Sequence, residues 1–358
     1  MGAERAEYRV GEYCGAASAA QFGNPQAELA ALDAGCGVYD LGFRAKVALT
    51  GADRVRWLNG MVTNNIRDLA TGHGVYAFLL NPQGHILGDL YAYNRGDQIV
   101  IDTERQQVEK ILATFDHYII MDDVEMKPLE LTALGVAGPK AGSVMRAAGI
   151  DTPDAKPLEI FETNCSCDCE CTKCTAVLGE DDQSYELWLN PADVRKTWDA
   201  LVAKGATRVG FEALELRRIL AGIPRYGIDI REKDLPQETE QVERALNFSK
   251  GCYVGQEIVE RIRSRGAVHR KLTGFVSQGD VAVGCKIRAA EKEVGEITSS
   301  ARVRVEDGMR TVALGYIRRE VGTPGRQVTI GESAATVAQM PLQLGSLARN
   351  ESLAQQPA

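Results

Sequence analysis

The chain reads as an α+β protein: a large domain of split βαβ (ferredoxin-like) units followed by a small C-terminal β-barrel. Three observations predict that class. Strand-like and helix-like segments alternate through residues 1–265, with a hairpin among them. After Gly266 the helical spacing stops, and short apolar–polar alternations are separated by glycine-bearing turns. The 358 residues, 44% hydrophobic and 25% charged, are enough for more than one core of an ordinary globular chain.

Residues 26–32 are rich in helix formers and predict a first helix. Val47 and Leu49 alternate with small or polar neighbours, as a strand requires. "GADRVRWLNGMV" predicts a short helix with Asp53 in its first turn and Val55 and Leu58 packed inward. "GVYAFLLNPQGHILGDLYAYN" predicts a hairpin around the turn-forming Asn81-Pro82-Gln83-Gly84. A strand over residues 98–102 precedes an amphipathic helix in which Val108, Ile111, Leu112 and Phe115 recur at three and four. A strand over 129–136, a helix over 141–147, strands at 158–161 and 185–189, and helices over 192–203 and 211–220 complete the first part. The pieces "KLTGFVSQ", "CKIRAA", "EVGEITSS", "RVRV", "TVALGYIRR" and "QVTIG" predict the barrel strands, and residues 346–358 a polar, disordered tail.

The net charge of −8 argues against broad nucleic-acid binding. Arg261, Arg263, Arg265, Arg270 and Lys271 form a local basic patch, which reads either as an interaction surface or as a solvated helix face. No run of about 18 apolar residues predicts a membrane span, and the first ten residues lack the apolar stretch of a secretion signal. The expected location is the cytoplasm, with the nine cysteines as thiols or metal ligands rather than disulfides.

"KGCYVGQE", Lys250 to Glu257, carries the sharpest local signal. Gly251 and Gly255 allow backbone shapes or close approaches that a Cβ would forbid. From Gln256 the spacing is helical, with Ile258 and Ile262 on one face and Glu257 four residues from Arg261. Cys252 would then stand at a helix start beside Lys250, both of which favour a thiolate. The residues alone equally allow a buried cysteine acting as a small hydrophobe.

"NFSKGCYVGQEIVERIRSRGAVHRKL" resembles the signature of YgfZ-type folate-binding proteins, relatives of the glycine cleavage T-protein (aminomethyltransferase). Lys250, Gly251, Cys252, Tyr253, Gly255, Gln256, Glu257 and Arg261 match its Lys-Gly-Cys-aromatic-x-Gly-Gln-Glu-x-x-x-Arg pattern. "VALTGADRVRWLNGMVTNNIRDLATGHGVYAFLLNPQGHILGDL" is similar to the N-terminal folate segment, with Asp89 on the aspartate that in the T-protein sits beside folate and its reacting amine. "GEDDQSYELWLNPADV" and "LRRILAGIPRYG" resemble later segments, so the likeness spans roughly residues 25 to 340.

The resemblance implies a folate domain over residues 1–265 and a barrel over 266–345. It implies tetrahydrofolate as cofactor, with Met61, Tyr76, Asp89, Tyr185 and Arg218 as contacts and Asp89 and Cys252 as reacting groups. The implied role is support for the assembly or repair of iron–sulfur enzymes, with iron–sulfur client or assembly proteins as partners. The alternatives are a tetrahydrofolate-dependent aminomethyltransferase or demethylase, and a non-catalytic metal-carrying scaffold. The chain departs from the T-protein in two places. Leu220 stands where that family has a pterin-holding glutamate, and the cysteine signature stands where it has none.

"CSCDCECTKC" lies outside that pattern. Thiolates at Cys165, Cys167, Cys169, Cys171 and Cys174 suit zinc or iron. The strict alternation of the first four equally describes a cysteine-rich strand or hairpin pair, whose alternate thiols lie about 6–7 Å apart, too wide for one tetrahedral zinc.

Overall fold

A computed structural model describes residues 9–165, 172–266 and 268–343. The chain divides into two compact units, one of Met1–Phe211 with Glu243–Gln256 and one of Glu212–Val242 with Glu257–Ala358.

In the first unit a small antiparallel pair, β1 (Arg9–Tyr13) and β2 (Ala16–Gln21), precedes α1 (Pro25–Ala34). Asn24 starts that helix by accepting the Gln26 N–H at 2.9 Å, and Pro25 occupies the first turn, where no N–H is needed. There follow β3 (Gly37–Asp40), β4 (Arg44–Thr50), α2 (Arg54–Met61), β5 (His73–Leu80), β6 (Ile86–Asn94), β7 (Ile99–Glu104) and α3 (Arg105–Tyr118). Then come β8 (Glu125–Leu129), β9 (Thr132–Ala137), α4 (Ala141–Ala147), β10 (Ile160–Cys165), β11 (Thr172–Leu178), β12 (Ser184–Leu189), α5 (Val194–Ala203) and β13 (Thr207–Arg208).

These strands make two sheets. One has the order β5-β6-β7-β4-β8 and is antiparallel throughout. The other has the order β10-β11-β12-β9-β3-β13, with β13 parallel to β3. The strand expected over 129–136 is found as β9, starting at Thr132; Leu129 instead ends β8 in the other sheet, with a two-residue break between them. The strand β11 starts at the end of the cysteine-rich stretch, includes Cys174 and pairs with β10.

Period-two alternation gives the five-stranded sheet two unlike faces. Val47, Leu49, Ala77, Leu79, Leu90, Ala92, Ile99 and Ile101 cluster with Trp57, Leu58 and Met61 of α2 and with Ile111 and Phe115 of α3. The opposite face carries Arg44, Lys46, Tyr76, Asp89, Tyr91, Tyr93 and Asp102. With helices on one face, the polar and aromatic side chains gather on the other.

The second unit begins with α6 (Phe211–Ala221) and includes α8 (Gln256–Arg265); the four-residue α7 (Val242–Ala245) lies where the chain returns to the first unit. Its barrel strands are β14 (Arg270–Ser277), β15 (Lys286–Ala289), β16 (Lys292–Val305), β17 (Gly308–Arg318), β18 (Gln327–Ile330) and β19 (Ser333–Ala338). They close in the order β14-β17-β16-β15-β18-β19, which removes the exposed edges an open sheet would leave. Phe275, Ile287, Ile297, Ala313, Ile317, Val328 and Val337 fill the interior. "EVGEITSS" and "RVRV", expected as separate strands, are one 14-residue strand, β16, with an irregular register near Thr298.

Among the described residues no helix is long and apolar enough to cross a membrane. The tail from residue 344 and the segment 166–171 lie outside the described residues.

Candidate functional site

The polar face of the five-stranded sheet gathers the strongest constellation. Asp89 sits on β6, one register step from Tyr91 and diagonal to Tyr76 across the hairpin. Its carboxylate accepts the Tyr76 hydroxyl at 2.7 Å and the Gln107 side-chain amide at 2.8 Å. The Gln107 side-chain Oε1 accepts the Asp89 backbone N–H at 3.0 Å, so the start of α3 clamps this residue from two sides. Burial, then the Asp89 charge, pushes the Tyr76 hydroxyl well above its ordinary pKa, and it stays a donor. An ionised carboxylate offers about four acceptor sites. Two of those at Asp89 are taken, which leaves acceptor capacity at a half-buried position.

Beside it lies a cation on an aromatic wall. The Arg244 guanidinium stands 3.9 Å from the Tyr76 ring centroid and 5.6 Å from that of Tyr91, donates to the Tyr91 hydroxyl, and pairs with Glu180 at 2.6 Å. Burial works against its charge, but Tyr91, Tyr76 and Glu180 outweigh burial and raise its pKa. Further along the face, Asp102 is fully buried between Lys46 at 2.7 Å and Arg44 at 3.0 Å, and Glu186 of β12 lies 3.5 Å from Lys46. Two cations face two carboxylates, so this buried group is electrically balanced. Tyr93 meets Trp188 of β12 edge-on at 5.3 Å, continuing the wall. Arg44, Lys46, Tyr91, Asp102, Gln107 and Arg244 were not singled out from sequence. The signal was present in "RAK" and "DLYAY", whose alternation places charge and rings on one face.

The remaining candidates are spread more widely. Met61 ends α2 and is buried in the helix-side core. Tyr185 packs half-buried against the core of the other sheet. Arg218 belongs to the second unit, where its five N–H groups bond Glu215 twice, Asp229, Ser299 and the Ile223 carbonyl. These bonds make Arg218 a hub of the second unit. Leu220 is half-buried on α6, and its carbonyl accepts the Leu342 N–H at 2.7 Å.

The signature segment folds as a clamped loop. The Lys250 ammonium is buried against the carbonyls of Asn59, Val62 and Asn64 at 2.6, 2.5 and 2.7 Å, which cap the C-terminal end of α2. Its charge also lies 4.9 Å from the centroid of the buried Tyr253 ring. Burial, with Arg67 nearby, draws its pKa down to about 7. Gly255 has φ +82°, and a Cβ there would stand 2.5 Å from the Asn81 carbonyl in the β5–β6 turn. Gly251 has only the Arg67 guanidinium near its missing Cβ, at 3.3 Å.

Cys252 is exposed, so it is not a buried small hydrophobe. The helix α8 starts at Gln256, leaving Cys252 in the preceding loop rather than in the first turn. Lys250 spends its charge on carbonyls. The ammonium is thus engaged away from Cys252. In α8 the buried residue is Val259, with Ile258 and Ile262 half-buried. Glu257 and Arg261 are exposed, and the helix pairs Glu260 with Arg263 at 3.5 Å instead.

Of the cysteine cluster, Cys167, Cys169 and Cys171 lie outside the described residues, as does the Cys165 side chain. Cys174 is buried in the apolar core of the six-stranded sheet with Cys36, whose thiol burial pushes up to about 11. Among the described residues no group of three or more His, Cys, Asp or Glu could hold a metal ion.

The family model of the GCVT N-terminal domain matches residues 3–250. The chain is 27% identical over 354 residues to the aminomethyltransferase of Rubrobacter xylanophilus, covering 96% of this chain and 92% of that protein. It is 26% identical over 325 residues to a chloroplastic Arabidopsis thaliana protein named as a transferase, covering 88% of this chain and 73% of that one. Among solved structures, the aminomethyltransferase T of the glycine cleavage system from Bartonella henselae superposes with a TM-score of 0.83 at 20% identity, over 94% of this chain and 95% of that one. At that identity the likeness is one of fold.

Proposed function

The chain belongs to the GCVT N-terminal domain family, and we propose that its first unit binds tetrahydrofolate at Asp89. The observation that carries this reading is the Asp89 carboxylate, fixed by Tyr76 and Gln107 with acceptor sites to spare. The half-buried Tyr91 supplies flat apolar surface beside it, the kind of wall against which an aromatic ring packs. When bound, tetrahydrofolate supplies the acceptor for a one-carbon unit. Asp89 orients an N–H donor or takes its proton; Gln107 and Tyr76 hold the carboxylate still. Arg244, tied to Glu180, fixes the Tyr76 and Tyr91 rings.

Within that reading we place the protein as an accessory to iron–sulfur enzymes, with Cys252 meeting the partner. Its support is the exposed thiol on a loop held at both ends, by Lys250 and by Gly255. A second reading, transfer of an aminomethyl group, is favoured by the names of the relatives and by Asp89 itself. Calorimetric titration of tetrahydrofolate into the full chain tests the folate reading: Asp89→Asn should weaken binding at least about tenfold, the loss of roughly one charged hydrogen bond. Unchanged affinity in that variant would remove Asp89 from the site. Cys252→Ser separates the two finer readings. In the accessory reading it lowers iron–sulfur enzyme activity in cells and leaves folate affinity intact; in the transfer reading both stay unchanged.

A further inference from the structure

We propose that the second unit carries a separate binding site for a small phosphorylated molecule. A cavity of about 360 Å³ there is lined by Gln237, Glu240, Ile262 and Arg263, by Lys271 near the start of β14 and by Arg319 just past the end of β17. That volume suits a small molecule, at the lower end of the usual range of ligand cavities.

Charge gives the ligand its sign. Three cations line the cavity against one carboxylate, in a chain whose net charge is −8. Arg263 is 3.5 Å from Glu260, but Lys271 and Arg319 have no acid partner among the described residues. An excess of cations around one cavity favours a ligand bearing negative charge. The basic patch of the sequence thus divides: Arg270 is spent on Asp234 and Glu238, at 2.6 and 2.9 Å, while Arg263 and Lys271 face the cavity.

Two further observations point to an occupant. The Gln237 amide nitrogen donates to the Val259 carbonyl at 3.0 Å, which fixes the amide, and its Oε1 is buried with no partner. A buried acceptor left unpaired costs stability until a donor reaches it, so the ligand carries an O–H or N–H as well as its charge. Glu240 holds φ at +58°, a left-handed backbone rare for a residue with a long side chain and frequent where structure serves binding. A phosphomonoester with free hydroxyls meets both demands. A nucleic acid does not, since the cations line a small concavity and the chain as a whole is acidic.

The test is calorimetric titration of the full chain with glycerol 3-phosphate, with inorganic phosphate and glycerol in parallel. We expect saturable one-site binding of glycerol 3-phosphate, weaker at high salt, and none of glycerol. The double variant Lys271→Ala/Arg319→Ala should weaken it by about tenfold or more. Gln237→Leu should weaken glycerol 3-phosphate severalfold and leave inorganic phosphate unchanged. Melting temperatures like that of the parent are expected because neither cation holds an ion pair; if the double variant melts lower, Arg319→Gln alone gives the same reading. No saturable heat up to about 10 mM, binding undiminished in the double or single cation variant, or an RNA 12-mer bound without competition from glycerol 3-phosphate would each overturn the proposal.

Discussion

At the scale of single residues, the signature motif separates into structural and exposed parts. Lys250 reads from sequence as an activator of its neighbour and is found holding three carbonyls at the end of α2. Sequence spacing cannot reveal this, because the acceptors lie about 190 residues away in the chain. Lys250→Met leaves those carbonyls unpaired and should cost about 1–3 kcal/mol in denaturant unfolding. The pH dependence has a definite sign. The folded pKa of about 7 lies below the ordinary 10.5, so between them the unfolded chain binds the proton more tightly. Stability should therefore rise with pH across that window, and Lys250→Met should remove the rise. Gly255 was legible as a glycine required by close approach. Gly255→Ala should destabilise by about 1–3 kcal/mol from the strained φ alone, and more from the contact with Asn81. Its likeness to a family position singles out Asp89; nothing singles out its partner Gln107, because nothing in "RQQVEK" distinguishes one glutamine from the next.

At the scale of elements, helices with clear spacing and the Asn81–Gly84 hairpin were legible, since apolar period and turn chemistry act locally. The break that leaves Leu129 at the end of β8 and starts β9 at Thr132 was not, because which sheet a strand joins is decided by distant partners. The same limit hid the charged face of the five-stranded sheet. Asp102 pairs directly across from Lys46 on β4, and neither residue alone announces a buried charge. Asp102→Asn strips both cations of their main counter-charge and should cost about 3–5 kcal/mol. Chemical denaturation measures it; a loss under about 1 kcal/mol would mean that Glu186 alone can hold Arg44 and Lys46.

At the scale of the whole molecule, the fold class was legible because the change of texture near Gly266 is global, and the barrel begins at Arg270. The two compact units were less so. Residues 212–242 and 257–265 look like a continuation of the first part in sequence, yet they pack with the barrel strands, through bonds such as those of Arg218 to Ser299 and Arg270 to Asp234. The central claim is that this family member binds tetrahydrofolate through Asp89 on the polar face of the first unit. The most direct measurement is equilibrium binding of tetrahydrofolate under anaerobic conditions to the full chain and to its Asp89→Asn variant, with melting temperatures recorded for both. The account predicts saturable binding by the parent chain, a loss of about tenfold or more in the variant, and closely similar melting temperatures. Equal affinity in two equally stable proteins, or no binding by the parent chain, would contradict it.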